Sequence, residues 1–158
     1  MKIGIISDTH GVVKNMDKAI HYLKECDLII HAGDNVDDAE YIHYATDVDV
    51  KAVKGNCDLI AKFSDEYELI FTVKDKRFLL CHGHYYDVKY GVESLLRVAK
   101  HKNIDIVVFG HSHIPVYEEI DEVTFINPGS LSYPRGNSKK QFGILTIDDK
   151  ISYKTINI

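Results

Sequence analysis

The stretch IDIVVFGHSHIP, Ile104 to Pro115, runs from an apolar segment into two histidines two residues apart. A short apolar run ended by glycine reads as a buried strand. Such a strand has no need of paired imidazoles at its exit, so His111 and His113 raise the question of what they hold. Whether the rest of the chain repeats this arrangement decides the fold.

It repeats in four further places. KIGIIS runs into Asp8-Thr9-His10, and DLIIHAGD ends in Gly33-Asp34. VDVKAVKGN ends in Gly55-Asn56, and RFLLC runs into His82-Gly83-His84. Five apolar strands each deliver Asp, Asn or His at the same end, usually beside a glycine that allows the backbone to turn tightly. In open α/β sheets, ligand sites gather beyond the carboxyl ends of the strands.

The segments between these strands supply helices. NMDKAIHYLKEC puts Met16, Ile20 and Leu23 on one face, with Asn15 available as a cap. DDAEYIHYA reads as a short helix, and GVESLLRVAKHKN as an amphipathic one through Val92, Leu95, Leu96 and Ala99. The β-α-β-α-β order of the first half predicts a parallel sheet with helices on its faces. Later on, YELIFTV with RFLLCHGH, VYEEI with VTFINPG, and QFGILTI with ISYKTINI read as hairpins. The expected architecture is a mixed α/β sandwich with flanking helices, in a single domain over residues 1–158, and Ser132 to Lys140 is its most loop-like stretch.

Composition narrows the function classes. The chain has 158 residues, 45% hydrophobic and 27% charged, with a formal net charge of -5. No Lys/Arg cluster stands out, so non-specific nucleic-acid binding through a basic face is not expected. Cys26, Cys57 and Cys81 are scattered and odd in number, which points to a reducing compartment without a disulfide framework. The apolar stretch before Asp8 is too short for a signal peptide or a membrane span, so a cytoplasmic location is expected.

The chemistry of the strand-end residues is narrow. Carboxylate and amide oxygens mixed with imidazoles suit borderline divalent ions such as Mn, Fe, Ni, Co or Zn. A structural zinc site would favour thiolates and four closed ligands. Setting His84 aside, seven candidate ligands exceed what one tetrahedral ion needs. Two ions sharing a carboxylate would use them all, and such pairs sit about 3.5–4 Å apart to clamp a phosphoryl group.

Taken together, Asp8-x-His10, Gly33-Asp34, Gly55-Asn56, His82-Gly83-His84 and Gly110-His111-x-His113 resemble the calcineurin-like metallophosphoesterases. The compact length, GNCD, GHSH, and NPGS followed by Pro134-Arg135 are similar to the small YfcE-type phosphodiesterases in particular. The resemblance implies that Asp8, His10 and His113 hold one metal. By the same token Asn56, His82 and His111 hold a second, and Asp34 bridges the two. It implies two divalent ions, manganese first among them, and a bridging solvent that attacks a small phosphate ester in line. Asn56 and Arg135 are the expected substrate contacts. A homo-oligomer is expected by analogy alone.

One position departs from the family pattern. Many relatives carry a histidine directly after Gly-Asn, where this chain has Cys57 followed by Asp58. Cysteine is a poor general acid for a leaving alkoxide, so Asp58 and His84 become the candidates for that task. The fold also hosts a non-catalytic interaction scaffold, the eukaryotic retromer subunit, which is the alternative reading. The complete ligand set, His82 included, favours the enzyme.

Other polar residues have plainer readings. His21, His31, His43 and His101 are expected as surface or core histidines, with His31 near enough to Asp34 to orient it. Asp37 and Asp38 suit an acidic helix start. Asn127 and Ser130 suit the NPGS turn, with support of the site as a further use. Arg135 stands between phosphate binding and a plain surface role. Tyr85, Tyr86 and Tyr90 stand between stacking on a substrate ring and a subunit contact.

Overall fold

In the first strand, β1 (Lys2–Ile6), side chains alternate between two apolar environments. Ile3 and Ile5 join one buried cluster, and Ile6 joins another. The same alternation holds in β2 (Leu28–His31), where Leu28 and Ile30 point one way and Ile29 the other. A strand covered on both faces needs apolar residues at every position, which is why these runs are continuous.

The computed structural model describes residues 1–158. Two five-stranded sheets pack face to face. The first has the order β10-β9-β1-β2-β3, with β3 at Val50–Ala52, β9 at Gln141–Ile147 and β10 at Ile151–Asn157. β1, β2 and β3 are parallel, with Ile5 opposite Ile30 and Ile30 opposite Lys51. The hairpin β9–β10 is antiparallel and joins through β9 to β1.

The second sheet has the order β4-β5-β6-β8-β7, with β4 at Glu68–Val73, β5 at Lys76–Cys81 and β6 at Ile106–Val108. β7 covers Val116–Ile120 and β8 Val123–Asn127. β5, β6 and β8 are parallel, flanked by antiparallel edges β4 and β7. The expected sandwich of mixed sheets, completed by hairpins, is the observed one.

Three apolar layers hold it together. Between the sheets lie Ile3, Ile5, Leu28, Ile30, Phe78, Leu80, Ile106, Val108 and Ile126, all buried. Helix α1 (Val13–Leu23) covers the outer face of the first sheet with Met16, Ala19 and Leu23. Helix α2 (Asp38–Thr46) adds Ile42 to that layer. Helix α3 (Glu93–His101) covers the second sheet, packing Leu95 and Ala99 on Leu79, Val107 and Phe109.

Two local expectations are corrected. Val12, not Asn15, occupies the N-cap of α1. Asn15 lies inside the helix, buried, and donates to Ser132 Oγ at 3.2 Å. Asp37 and Asp38 do start α2, but their carboxylates serve loops. Asp37 Oδ1 accepts from the Lys62 and Phe63 amides, and Asp38 Oδ2 from the Gly11 amide.

Parallel pairing has one consequence for function. The carboxyl ends of β1, β2 and β3 in one sheet, and of β5, β6 and β8 in the other, open at the same edge of the sandwich. Gly110 N–H donates to His82 O within the second sheet, and His82 Nδ1, 2.7 Å from Ala32 O, ties that sheet to the first at this edge.

Candidate metal centre

The backbone at this edge is unusual. Asp8, His10, Asp34, His111 and His113 all have positive φ, from 49° to 65°. Non-glycine residues seldom adopt this left-handed conformation, and it concentrates where surrounding structure enforces it for function. At each strand exit the chain turns sharply and swings the polar side chain back over the end of the sheet.

Two glycines make the approach possible. A Cβ on Gly55 would lie 2.2 Å from Asp34 Oδ1. A Cβ on Gly110 would lie 2.0 Å from Ser7 Oγ and 2.8 Å from Asp8 Oδ2. Both positions accept only hydrogen because a carboxylate rests against the backbone.

The ligand atoms of Asp8, His10, Asp34 and His113 all lie within 4.8 Å of one another. His113 Nε2 is 3.0 Å from Asp8 Oδ1, and His10 Nε2 is 3.8 Å from Asp34 Oδ2. On the other side of Asp34, His82 Nε2 is 3.4 Å from Oδ1. The His111 ring centroid lies 5.1 Å from that of His82. Asp34 therefore stands between two groups of imidazoles.

Asn56 lies on the turn beside Asp34, exposed, with its amide donating to Cys57 Sγ at 3.5 Å. Cys57 N–H donates to Asp34 Oδ1 at 3.0 Å, and Cys57 Sγ–H to Oδ2 at 3.3 Å. His84 is half-buried, 5.4 Å from the His82 ring and 6.0 Å from that of His111. Arg135 is exposed, and its N–H donates to His113 O.

Asp58 differs from the expectation of a leaving-group acid. It is buried, with Oδ1 accepting from Val36 N–H at 3.0 Å and Oδ2 from Gly55 N–H at 2.7 Å. Both oxygens are committed to backbone amides, so this carboxylate clasps the Asp34 loop to the Gly55 turn.

The donor set fits divalent cations. Asp8 Oδ1, His10 Nε2 and His82 Nε2 are buried without a hydrogen-bond partner. Buried polar atoms are nearly always satisfied, so unpartnered atoms on three residues around Asp34 mark a place for cations. The opposite nitrogens are anchored: His82 Nδ1 to Ala32 O and His113 Nδ1 to Tyr133 O. Donating Nδ1–H to a carbonyl fixes the tautomer that leaves Nε2 free as a ligand.

Charge at the site follows the same geometry. In the metal-free protein, burial works against a charged His82, but the Asp34 and Asp8 carboxylates outweigh it and raise its pKa. Burial likewise opposes a charged Asp34, yet His82 and the Cys57 donors hold its carboxyl well below the usual range. His113 is raised too, burial being outweighed by Asp8. His111 is pushed down to about 4, by burial first and then by the His82 charge. His84 is lowered for the same two reasons.

A second tier of residues was harder to read in advance. His31 is fully buried, accepting from Gly33 N–H at Nδ1 (3.1 Å), with Nε2 3.0 Å from Thr9 Oγ1. Thr9 Oγ1 in turn donates to Asp34 O. The ring is thus a strut between the first two ligand loops, and burial lowers its pKa. Asn127 Nδ2 donates to Gly110 O and Ser112 Oγ, holding the His111–His113 loop. Ser130 Oγ donates to Asp8 O, and Ser132 Oγ to Thr9 O. The NPGS turn therefore braces Asp8 as well as building itself. Among the tyrosines, Tyr85 lies tilted against His84, whereas the Tyr86 hydroxyl donates to Glu68. Tyr67, from the segment before β4, joins this group and had no signal in the sequence beyond being a tyrosine.

Fold and donor set define a metal-binding α/β/β/α sandwich with its site at the strand ends. Residues 1–150 match the model of the calcineurin-like phosphoesterase superfamily domain. The chain belongs to that superfamily and is a metal-dependent phosphoesterase. It is 35% identical over 150 residues to the probable metallophosphoesterase YsnB of Bacillus subtilis, covering 94% of this chain and 86% of that one. It is 32% identical over 145 residues to phosphodiesterase MJ0936 of Methanocaldococcus jannaschii, covering 82% and 83%. Among solved structures, a conserved Streptococcus pneumoniae protein described as a predicted phosphoesterase superposes with a TM-score of 0.83. That match has 25% identity and covers 99% of this chain and 88% of the other. No helix is long and apolar enough to cross a membrane.

Proposed function

We propose that the protein is a two-metal phosphodiesterase acting on a small phosphate ester. The single observation that carries this reading is Asp34, whose two oxygens face different imidazoles, His82 and His10. In this assignment Asp8, His10 and His113 hold one ion, Asn56, His82 and His111 the other, and Asp34 serves both. Divalent cations held by these residues would supply acidification of a coordinated water and charge neutralisation on the phosphoryl oxygens. Manganese is the first choice, with Ni, Fe, Co and Zn compatible with the same donors.

The chain's own groups have distinct tasks. Asn56 is a metal ligand whose exposed amide also meets the substrate phosphate, and Arg135 offers a fork to a phosphate oxygen from the neighbouring loop. His84 is assigned the contact with the leaving oxygen. Because its pKa is lowered by burial and by His82, it acts as a neutral donor, which favours substrates with good leaving groups. Asp58, held by two amides, positions the Asp34 and Gly55 loops instead of delivering a proton.

The test is hydrolysis of a bis-aryl phosphodiester and the matching aryl monoester by metal-stripped protein, with Mn, Ni, Co, Zn and Mg returned separately. Metal-dependent turnover favouring the diester is expected. Full metal binding without turnover of either ester would turn the assignment toward a scaffold.

A further inference from the structure

We infer that Tyr67 and Tyr85 form an aromatic shelf, flanking His84, that receives a planar ring carried by the phosphate ester. The inference rests on the phosphoesterase reading of the adjacent histidines and names the substrate class they serve.

The shelf is contiguous with the metal ligands. The Tyr85 ring centroid is 4.0 Å from that of His84, and His84 is 5.4 Å from His82 and 6.0 Å from His111. Tyr67 closes the group, 5.7 Å from Tyr85 at 68° and 6.2 Å from His84 at 60°. From ligand histidine to outer tyrosine is therefore a succession of rings, one contact apart. A phosphate held at the histidines places its ester group over them.

These rings are uncovered, and Tyr67 is also restrained. Tyr85 is 68% exposed and Tyr67 is 42% exposed. Tyr67 is steadied by Lys54, whose Nζ lies 5.5 Å from its centroid and 3.6 Å from Asp65 Oδ1. Lys54 is itself buried, an uncommon state for a lysine, and it directly precedes the Gly55-Asn56 turn. A ring already held in place loses little freedom when a partner stacks on it, so its area converts efficiently into affinity.

The neighbouring tyrosines do not share this arrangement. Tyr86 is half-buried with its hydroxyl on Glu68, and Tyr90 is exposed away from any ring. Every aryl group and nucleobase has a π-face, so stacking alone accepts both. Their common chemistry is a planar ring esterified to phosphate.

Binding is measured by calorimetry on metal-loaded protein with methylphosphonate, phenylphosphonate and thymidine 5′-monophosphate. Phenylphosphonate is expected to bind about tenfold more tightly than methylphosphonate. In the Tyr67→Ala/Tyr85→Ala double variant that ratio falls towards one. Tyr85→Phe keeps it, and so does Tyr90→Ala, which lies off the shelf. A larger gain for the nucleotide than for the phenyl compound identifies a nucleobase as the preferred ring, and an equal gain identifies any aryl group. Equal affinity for the two phosphonates in the wild type overturns the proposal. So does failure to bind phenylphosphonate, or an unchanged ratio in a double variant with normal metal content. None of these readouts needs turnover, so inactivity towards diesters would count against the phosphodiesterase reading alone.

Discussion

His111 and His113, two residues apart, face different partners: the His111 ring lies 5.1 Å from His82, and the His113 ring 5.3 Å from His10. On a continuing strand they would share a face. Positive φ at both, 65° and 59°, breaks the strand and sends them to opposite sides of Asp34. One short loop thus contributes to both groups of imidazoles.

Asp34 is the joint between them. Asp34→Ala is expected to abolish binding of at least one metal and lower turnover by more than the 10–100-fold typical of losing a group behind a ligand. Elemental analysis of the purified variant beside its diesterase rate checks this. Retention of two metals would remove Asp34 from the shared position.

Metal affinity is expected to rise with pH. His82 and His113 have raised pKa values in the metal-free protein, because neighbouring carboxylates outweigh burial. A proton held there must leave before Nε2 can bind a cation, so binding releases protons. The release shrinks as pH rises through those raised values. Calorimetric titration in two buffers of different ionisation enthalpy reads the number released, and no buffer dependence at pH 6.5 would contradict the arrangement.

His31 links the loops of Asp8 and Asp34 without touching substrate. His31→Ala leaves Gly33 N–H without its acceptor, and is expected to cost about 1–3 kcal/mol of stability and about 10–100-fold in metal affinity. Its folded pKa is lowered from the unfolded value by burial. The unfolded chain therefore takes up a proton that the folded one resists, and stability falls as pH drops below about 6.5. Thermal melts of wild type and His31→Gln from pH 5 to 8 should show a weaker acid-side decline in the variant.

Cys57 is a donor to Asp34, not an acid or a nucleophile. Burial, then the hydrogen bond to Asp34, pushes its thiol up to about 11. In metal-free protein it stays protonated through the neutral range, so alkylation by iodoacetamide at pH 8 should be slow and should accelerate towards pH 11. Cys57→Ser keeps a donor at the same place and should retain most activity, whereas Cys57→Ala removes it and should lose more. A severe loss in the serine variant would show that sulfur itself is required.

Much of this site was legible in the chain. The continuous apolar runs named the strands, and their shared habit of ending in Asp, Asn or His pointed to the side chains that gather around Asp34. The amphipathic pattern of Leu95 and Ala99 found α3 and the face it buries. Asn15 and Asp58 depart from their expected roles. Asn15, expected as a helix cap, bonds Ser132 far away in sequence, and Asp58, expected as an acid, has both oxygens taken by the Val36 and Gly55 amides.

What the sequence by itself determined is therefore the alternation of elements and the chemical inventory at each strand exit, because both follow from local periodicity and residue type. Only the tertiary structure decided which inventories meet. The Asp8–His111 contact spans 103 positions and the His82–Ala32 contact 50. Parallel pairing and face-to-face packing bring such ends to one edge. The strut of His31, the clasp of Asp58 and the recruitment of Tyr67 to the shelf follow from that convergence. They depend on the packing of two sheets against each other, which no single stretch of chain specifies.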